Sequence, residues 1–579
     1  MDNKAIANIL YETADLMEVR GDDSFRIRSY RRAGEAIDTL PQPVSEIIGD
    51  RKAILAIPGI GKAMCANLEE IVRDKKLHLH QELLTHYRPT MLELLKVQGL
   101  GPKTISLLWD AFQVSDIAGV EKLAREGKLR DLPKMGPAKE AKILSSIEGL
   151  KRISGRYLID KATEQATVFL NYLSGTAGID TVTLAGSLRR GRETIGDLDI
   201  LVTGKGCCDE ERQAVTAKIL GGPGVMEVIN QGSNKISFRL RNGMQVDVRL
   251  IPPESFGAAL QYFTGSKSHN VALRQRALKL GYTLNEYGLV RIKDQLKMAG
   301  ASEQELYAKL NLSFIPPELR ENNGEIDAAH SGLLPLLVSE EDIQGDVHMH
   351  TVATDGRSTI LEMAQAAKDR GYQYIAITDH SKALAFANGL DDKRALEHIR
   401  AIREANRCIE GLRIFTGIEV DILADGELDL SHSVLEEMEV VIASVHSHFQ
   451  QEPARMTERL LRVLDSGVVS VIGHPTGRKL LRREAYSYDM DAVLKQAARA
   501  GVAMELNSYP DRLDLCDLHL RMAKERGVKI VINTDSHHTS HLRNLQYGIL
   551  QARRAWLSKG DVLNTRSPKE FAAALNKKS

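Results

Sequence analysis

The chain has 579 residues, of which 43% are hydrophobic and 27% charged, and its acidic and basic side chains are equal in number. This length is too great for one hydrophobic core, so we expect about three to five folded units. The composition is that of a soluble protein, and no apolar run approaches the roughly 18 residues that would indicate a membrane-spanning segment.

The N-terminus begins as an amphipathic helix and lacks the basic and apolar regions of a signal peptide. The cysteines are too scattered for a disulfide framework, which predicts a cytoplasmic protein; they are Cys65, Cys207, Cys208, Cys408 and Cys516. The first 320 residues are mildly basic and the remainder mildly acidic, a difference too small to identify a polyanionic partner by itself.

Residues 1–150 have a helical pattern with three similar turns: LAIPGIGKAMCANL (55–68), LLKVQGLGPKTISLL (94–108) and LRDLPKMGPAKEAKIL (129–144). Such turns offer backbone N–H groups and a helix N-terminus to an anion. They resemble the helix-hairpin-helix, which holds DNA phosphates without reading sequence, although tight turns between packed helices remain the alternative. Lys134 replaces the first glycine of the third turn. The candidate DNA-binding residues are Gly59, Gly61, Gly99, Gly101 and Gly136.

Strand patterns begin near residue 181, and GSLRRGRETIGDLDIL (186–201) carries two aspartates one residue apart. Residues two apart on a strand share a face, so Asp197 and Asp199 project together, and Asp247 of MQVDVRLI joins them if the strands are neighbours. Clustered carboxylates require cations such as Mg²⁺, and two such ions would support phosphoryl transfer. Ser187 and Arg190 would then hold nucleotide phosphates. A surface Asp–Arg network is the alternative.

Residues 266–312 return to a helical pattern, and the polar stretch 318–337 predicts a linker. Beyond it, apolar strands alternate with helices. Twelve of the 17 histidines fall between residues 346 and 541, and eight of these follow predicted strand ends. Barrel enzymes build their sites at such ends, and imidazole with carboxylate suits Zn²⁺, Mn²⁺ or Fe²⁺. The alternative for any single histidine is a structural role, and His398, His432 and His519 are assigned to it.

The motifs GSLRRGRETIGDLD, VDVRLI, YFTGSKSHN and LNEYG resemble the palm and thumb of the family X DNA polymerases over residues 1–315. The resemblance implies that Asp197, Asp199 and Asp247 bind Mg²⁺ or Mn²⁺ beside the catalytic-site arginine Arg249. It implies a nucleotide pocket formed by Gly186, Ser187, Arg190, Tyr262, Phe263, Gly265, Asn270 and Arg274. Core packing is the alternative for the two aromatic residues.

The series H-x-H, T-D-H, G-I-E-V, V-H-S-H, G-H-P and D-S-H resembles the polymerase and histidinol phosphatase (PHP) domain over residues 338–575. Bacterial family X polymerases carry such a domain at their C-terminus. The ligands to Zn²⁺ or Mn²⁺ that this resemblance implies are His348, His350, Asp355, His380, Glu419, His446, His474, Asp535 and His537. Asp379, His448 and His538 are expected to support the ligands.

The expected fold is multidomain: an all-α helix-hairpin-helix region, an α+β nucleotidyltransferase-type palm with a thumb, and a distorted (β/α) barrel of PHP type. The expected boundaries are a DNA-end-binding domain (1–82), a fingers-like domain with two hairpins (83–150), a palm (151–265), a thumb (266–317), a linker (318–337) and the PHP domain (338–579).

The resemblance implies a monomeric bacterial gap-filling DNA polymerase in base excision repair, cytoplasmic and nucleoid-associated, with no membrane partner. Its substrates would be deoxynucleoside triphosphates and gapped or nicked duplex DNA. The PHP domain would be a 3′-5′ exonuclease with abasic endonuclease or 3′-phosphatase activity. The alternatives are a DNA-tethered metallophosphoesterase with an inactive palm, an untemplated nucleotidyltransferase and a non-catalytic DNA-binding scaffold.

One departure from the family predicts weak or absent deoxyribose-phosphate lyase activity. Eukaryotic members carry a Schiff-base lysine in the helix after the first hairpin, and alignment on PGIG places Asn67 there. An amide cannot form a Schiff base, and Lys62 and Lys75 are not equivalent in position. Borohydride trapping on an incised abasic substrate should give little adduct. A strong adduct that disappears with the N-terminal region would contradict the prediction.

Overall fold

A computed structural model describes residues 3–38, 40, 44–55, 57, 60–88, 90–95, 97, 99–133, 135–153, 155–207, 212–384 and 387–575. The chain forms two compact units, Met1–Ser154 and Gly155–Ser579. Within the described ranges, no helix combines the length and the apolar character that crossing a membrane requires. The four described cysteines, at positions 65, 207, 408 and 516, are free thiols.

The N-terminal unit is helical, because apolar residues recur at helical spacing and pack into two small cores. Its α-helices are Asn3–Arg20, Ser24–Asp38, Val44–Ile47, Arg51–Leu55, Lys62–Asp74, His78–His86, Met91–Leu94, Pro102–Phe112, Ile117–Arg125 and Pro137–Ile153.

The three turns predicted to bind DNA share one geometry. In each, an apolar residue donates its N–H to the carbonyl oxygen three residues earlier: Ile60 to Ile57, Leu100 to Val97 and Met135 to Leu132, at 3.1, 3.0 and 3.0 Å. Gly61 and Gly101 then cap the next helices in an extended conformation without a side-chain cap, and Gly136 precedes the third helix. Gly99 has a φ of +99°. Gly59 and Lys134 lie outside the described residues.

The palm is a five-stranded sheet covered by the helix Ile159–Leu173. Its strands lie side by side in the order Thr181–Leu184, Asp197–Thr203, Gln245–Ile251, Lys235–Leu240 and Val225–Gln231. The second and third are parallel, which places Asp199 opposite Asp247. A helix of four residues, Gly186–Arg189, and a helix Arg212–Leu220 complete the layer, and Tyr157–Leu158 pairs with Thr194–Ile195.

The region predicted as the thumb contains the helices Lys267–Lys279 and Glu303–Lys309, with a three-stranded sheet of Tyr282–Asn285, Gly288–Arg291 and Lys297–Ala299. The helix Phe256–Thr264, predicted within the palm, packs against palm residues such as Leu201 and Ile251. Residues 318–337, predicted as a linker, differ from that expectation. They contain the helix Glu325–Ser331, and Leu319 and Ala329 belong to the thumb core. Three charged residues of this stretch, Glu318, Arg320 and Glu325, are buried, and Arg320 Nη1 lies 2.6 Å from Glu303 Oε1.

The C-terminal region is a seven-stranded parallel barrel, which confirms the predicted fold class. Its strands are Gly345–Asp346, Tyr374–Ile377, Arg413–Asp421, Val440–Ser444, Val471–Ile472, Ala503–Asn507 and Ile530–Asn533. A bridge between Met349 and Ser536 joins the first strand to the last. The helices are Ile360–Asp369, Asp392–Cys408, His432–Glu436, Pro453–Leu464, Met490–Ala500, Asp517–Glu525, Leu545–Arg554 and Pro568–Ala574.

The barrel contributes side chains to the hydrophobic core of the palm. Leu513 and Tyr547 are buried there at 1% and 7% exposure, in one cluster with Leu188 and Ile195 of the palm. Polar contacts reinforce the junction, because Arg478 and Gln551 both donate to Glu193, at 2.8 and 2.7 Å.

Two candidate metal centres

The first candidate centre lies where two parallel palm strands bring three carboxylates to one face. Asp199 pairs in register with Asp247, and Asp197 pairs with Gln245 two residues earlier. Side chains at Asp197 and Asp199 share a face because they are two residues apart. Asp197 is exposed, whereas Asp247 is only 6% exposed. The pairing that the sequence could only assume is therefore present.

Electrostatics show that these carboxylates interact. Burial, with the charges of Asp197 and Asp247, raises the pKa of Asp199 to about 7. Burial and the charge of Asp247 also raise the pKa of Asp197. Such shifts mean that the site resists holding three negative charges. A divalent cation would relieve that repulsion, and oxygen ligands of this kind suit Mg²⁺ or Mn²⁺.

Lys235 is a member of this site that sequence reasoning missed. Its Nζ lies 2.6 Å from Asp247 Oδ2, and Gln245 Nε2 donates to Asp247 Oδ1 at 3.1 Å. Burial alone would raise the pKa of Asp247, but these bonds and one from Ser237 lower it. Lys235 begins the neighbouring strand, directly opposite Arg249, so only the strand pairing could have identified it.

The predicted nucleotide pocket brings Arg249 onto Phe263, with the guanidinium carbon 3.9 Å from the ring centroid. Tyr262 and Phe263 meet edge to face at 5.1 Å. Asn270 is already bonded within the protein, because it donates to the Tyr262 carbonyl and accepts from Gln261, both at 2.7 Å. Asn270 therefore holds the Tyr262 backbone in this structure.

The remaining predicted nucleotide contacts lie around the short helix Gly186–Arg189, which contains Ser187. Arg190 follows this helix and donates to Glu321 Oε1 at 3.0 Å and to the Thr264 carbonyl at 2.5 Å. Gly265 adopts φ +71° next to that carbonyl. Arg274 Nε donates to the Asn270 carbonyl at 3.3 Å. Arg190, expected on phosphate, thus has a carboxylate partner in this structure.

The second candidate centre is built around Glu419 inside the barrel. Five histidine nitrogens lie within 3.6 Å of its carboxylate: His348, His350 and His380 face Oε2, and His446 and His474 face Oε1. Glu419 is 1% exposed. The carboxylate thus lies between two groups of imidazoles, the arrangement expected of a ligand that bridges two ions.

Two further carboxylates complete the ring. Asp355 Oδ2 lies 3.6 Å from His380 Nε2 and 3.4 Å from His537 Nε2. Asp535 Oδ1 lies 3.2 Å from His350 Nε2. All nine ligands implied by the sequence are therefore brought together at one end of the barrel.

The pKa values of the histidines in this ring are shifted in opposite directions. Burial opposes the charged form of His380, but Glu419 and Asp355 raise its pKa to about 10. Burial, with the charges of His380 and His537, lowers the pKa of His350 to about 4. Burial and the charge of Arg512 lower the pKa of His474 to about 4. Neutral imidazoles and ionised carboxylates are the forms that bind metal ions.

The chemistry of this donor set fits metal ions. Three groups have ligand atoms within 4.8 Å of one another: His350–Asp355–His380–His537, His348–His350–Asp535 and His380–Glu419–His446. Several of these atoms are buried without a hydrogen-bond partner in the described part of the chain, among them His348 Nε2, His350 Nε2 and Glu419 Oε2. Buried polar atoms without partners are costly, and a bound cation would satisfy them.

The three residues expected to support the ligands, Asp379, His448 and His538, lie outside the ring of ligands. Asp379 accepts bonds from Thr351 and lies 2.8 Å from His398 Nε2. His448 is exposed, and the Nδ1 of His538 accepts a bond from the Ser540 N–H in a helix cap. Asp379 and His398 therefore brace the barrel interior. The support predicted for His448 and His538 is not seen in these contacts.

Glu505 is a second residue that sequence reasoning missed. It is fully buried, its Oε1 lies 2.6 Å from His348 Nδ1, and its Oε2 accepts the N–H of His474 at 2.6 Å. It orients the imidazole of His348 through Nδ1, which faces away from Glu419, and it holds the main chain at His474. A single glutamate in the apolar strand VAMELN was the available signal, but nothing in the sequence linked it to His348.

Comparison with protein families matches four segments of the chain. A helix-hairpin-helix domain matches residues 1–77, and a SAM-like helix-hairpin-helix tandem matches residues 91–148. The DNA polymerase beta thumb matches residues 259–321, and the PHP domain matches residues 346–509.

Comparison with curated proteins finds the DNA polymerase/3′-5′ exonuclease PolX of Bacillus subtilis (strain 168). It is 36% identical over 579 residues, and the match covers 100% of both chains. Probable phosphatases are 31% identical over 233 residues in Shewanella sp. (strain MR-4) and 30% over 231 in Thermoanaerobacter sp. (strain X514). Each of these matches covers 38% of this chain, and 87% and 89% of the respective phosphatases.

Replacing Gly186 with alanine should disrupt the palm centre. Gly186 has φ +63°, and an added Cβ would overlap Asp199 Oδ2. Strain and overlap together should lower the free energy of unfolding by about 2 kcal/mol. Chemical denaturation measures the change. Gly196→Ala is the matched control, because its Cβ would meet only Arg156 Nη1, at 3.7 Å. Equal stability of the two variants would contradict the prediction.

Replacing Glu505 with glutamine should weaken metal binding at the barrel about tenfold or more, because His348 loses the charged partner that orients it. Elemental analysis of protein equilibrated with buffered Mn²⁺ or Zn²⁺ measures the occupancy. Glu458→Gln, an exposed substitution on a barrel helix, should leave occupancy unchanged. Unchanged occupancy in the Glu505 variant would remove this residue from the site.

Proposed function

We propose, because this chain belongs to the bacterial family X DNA polymerases that carry a C-terminal PHP domain, that it fills short gaps in duplex DNA during base excision repair. It is a DNA-directed DNA polymerase with a 3′-5′ exonuclease in its PHP domain. The observation that carries the proposal is the parallel pairing of Asp199 with Asp247. This pairing gives a chain with a polymerase thumb the acidic face that nucleotidyl transfer requires.

In the palm, Asp197, Asp199 and Asp247 would hold Mg²⁺ or Mn²⁺. Asp199, with a pKa of about 7, would release its proton when a cation binds. Ser187 and Arg190 would bind the triphosphate, and the stacked pair Arg249 and Phe263 would shape the floor of the pocket. These groups orient the nucleotide so that the primer hydroxyl and the α-phosphate meet in line.

In the barrel, Glu419 and the eight ligands around it would hold Zn²⁺, Mn²⁺ or both. Glu505 fixes the orientation of His348, and Asp379 supports the strand ends. When bound, the cations at either centre supply Lewis-acid stabilisation of the charge that develops on phosphoryl oxygens. The buried ligands, such as Glu419 at 1% exposure, would hold the cations in fixed positions against the phosphodiester.

The three glycine turns of the N-terminal unit would hold DNA phosphates on either side of a gap. Their caps leave backbone N–H groups without a side-chain acceptor at Gly61 and Gly101. Backbone contacts of this kind do not read bases, which suits an enzyme that must act on gaps of any sequence. Gapped or nicked duplex DNA and deoxynucleoside triphosphates are therefore the proposed substrates, and the proposed working form is a monomer.

A second activity of the barrel is favoured by its similarity to another class of protein. The probable phosphatases of Shewanella and Thermoanaerobacter share about a third of their residues with the matched part of this chain. We therefore also propose that the PHP domain hydrolyses blocking 3′-phosphates, and abasic sites where these interrupt the strand.

Two pairs of substitutions should separate the activities. Asp197→Ala with Asp199→Ala should abolish primer extension, by at least about a thousandfold, because the palm loses cation ligands. Shortening of the same labelled primer should continue. His348→Ala with His350→Ala should have the opposite effect. One assay on a gapped duplex with Mg²⁺ or Mn²⁺ measures both reactions.

Loss of both reactions from either pair, in a folded protein, would contradict two independent centres. An extension rate that survives the aspartate substitutions would favour the alternative of a metallophosphoesterase with an inactive palm. Extension without a template strand would favour an untemplated nucleotidyltransferase.

A further inference from the structure

The segment that follows the proposed phosphate-binding helix lies directly against the barrel. Gly191, with φ +65°, approaches Leu550 so closely that an added Cβ would lie 3.0 Å from the Leu550 Cβ. Glu193 accepts bonds from Arg478 and Gln551. Residues 190–193 are therefore fixed by the barrel helix Leu545–Arg554 and by the loop that contains Arg478.

Arg554, at the end of that helix, reaches the residue proposed to bind triphosphate. Its Nη1 donates to the main-chain carbonyl of Arg190 at 3.0 Å and to Glu321 Oε1 at 2.9 Å. Its Nη2 donates to Asp517 Oδ2 at 2.7 Å. The Arg554 side chain is 2% exposed, so its fork is committed to these three acceptors.

Glu321 is shared between the two arginines through one atom. Arg190 Nε and Arg554 Nη1 donate to the same Oε1, at 3.0 and 2.9 Å. A carboxylate that serves two guanidinium groups binds each less completely than it would bind one alone. Arg190 therefore keeps its orientation without being neutralised by an exclusive partner.

We propose that Arg554 of the barrel is a positioning residue for nucleotide binding in the palm, acting through Glu321 and the main chain of Arg190. The proposal rests on the contact of Arg190 with nucleotide phosphates proposed above. Without Arg554, Arg190 at 3.0 Å would be the nearest arginine to Glu321 Oε1, with Arg192 Nη1 farther away at 3.9 Å. An incoming triphosphate would then have to break the closer pair. The main-chain anchor of Arg190 would be lost at the same time.

The test is single-nucleotide insertion into a one-nucleotide gap, with KM for the nucleotide and kcat measured separately. Arg554→Gln should raise KM about tenfold and change kcat less than about twofold, because the lost contact acts on binding. KM for the gapped duplex should not change. A KM for the nucleotide equal to that of the wild type would overturn the proposal.

Arg553→Gln is the matched control. Arg553 lies on the same helix and donates to Glu318 Oε1 at 2.7 Å, so it also joins the barrel to the stretch 318–337. It makes no described contact with Arg190. A similar rise in KM in this variant would mean that any loosened junction has the same effect, and would overturn the specific role of Arg554.

Arg190→Gln distinguishes failure of this inference from failure of the proposed function. If Arg190→Gln leaves KM unchanged, the phosphate contact itself is wrong and the inference falls with it. If Arg190→Gln raises KM and Arg554→Gln does not, only the inference fails. The double variant should show the KM of Arg190→Gln alone, and additive effects would overturn a path through Arg190.

Exonuclease activity reports whether the barrel of each variant is folded. If Arg554→Gln lacks it, the test is made with Arg554→Lys. The single nitrogen of lysine cannot take the two positions from which Arg554 Nη1 and Nη2 reach the three acceptors. A rise in KM for the nucleotide in Arg554→Lys supports the proposal, and a wild-type KM overturns it.

Discussion

Repulsion between neighbouring carboxylates governs the palm. Two parallel strands hold Asp199 beside Asp247, and burial removes the water that would otherwise screen them. Lys235 offsets part of this charge at Asp247, and the remainder is the repulsion that a divalent cation would relieve. In the barrel, the buried negative charge of Glu419 is surrounded by five imidazoles. The polymerase and the nuclease are thus two solutions to one electrostatic problem.

Local periodicity predicts part of each candidate centre, whereas Asp247 required a strand pairing and the set of nine barrel ligands came from the family resemblance. Alternation along a strand brings Asp197 and Asp199 to one face, and strand ends collect the barrel histidines. Lys235 and Glu505 could not be predicted, because their roles depend on which strands become neighbours. The same holds for Arg190, whose partner Glu321 lies 131 residues away.

The stretch 318–337 shows why a polar composition misled. Glycine and charged residues predict a flexible connection when each is considered alone. In the fold, Arg320 pairs with Glu303, Glu325 pairs with His269, and Glu321 links two arginines. In a linker these charges would be solvated, whereas here they are paired within the fold. Composition alone does not distinguish the two cases.

Leu513 and Tyr547 complete the interior of the palm from outside its own stretch of chain. Cleaving or truncating the chain near residue 338 would expose the apolar palm surface against which Leu513 and Tyr547 now pack. The freed polymerase half would then be prone to self-association. A polymerase half that functions alone would therefore need polar residues in place of the apolar ones that now face Leu513 and Tyr547.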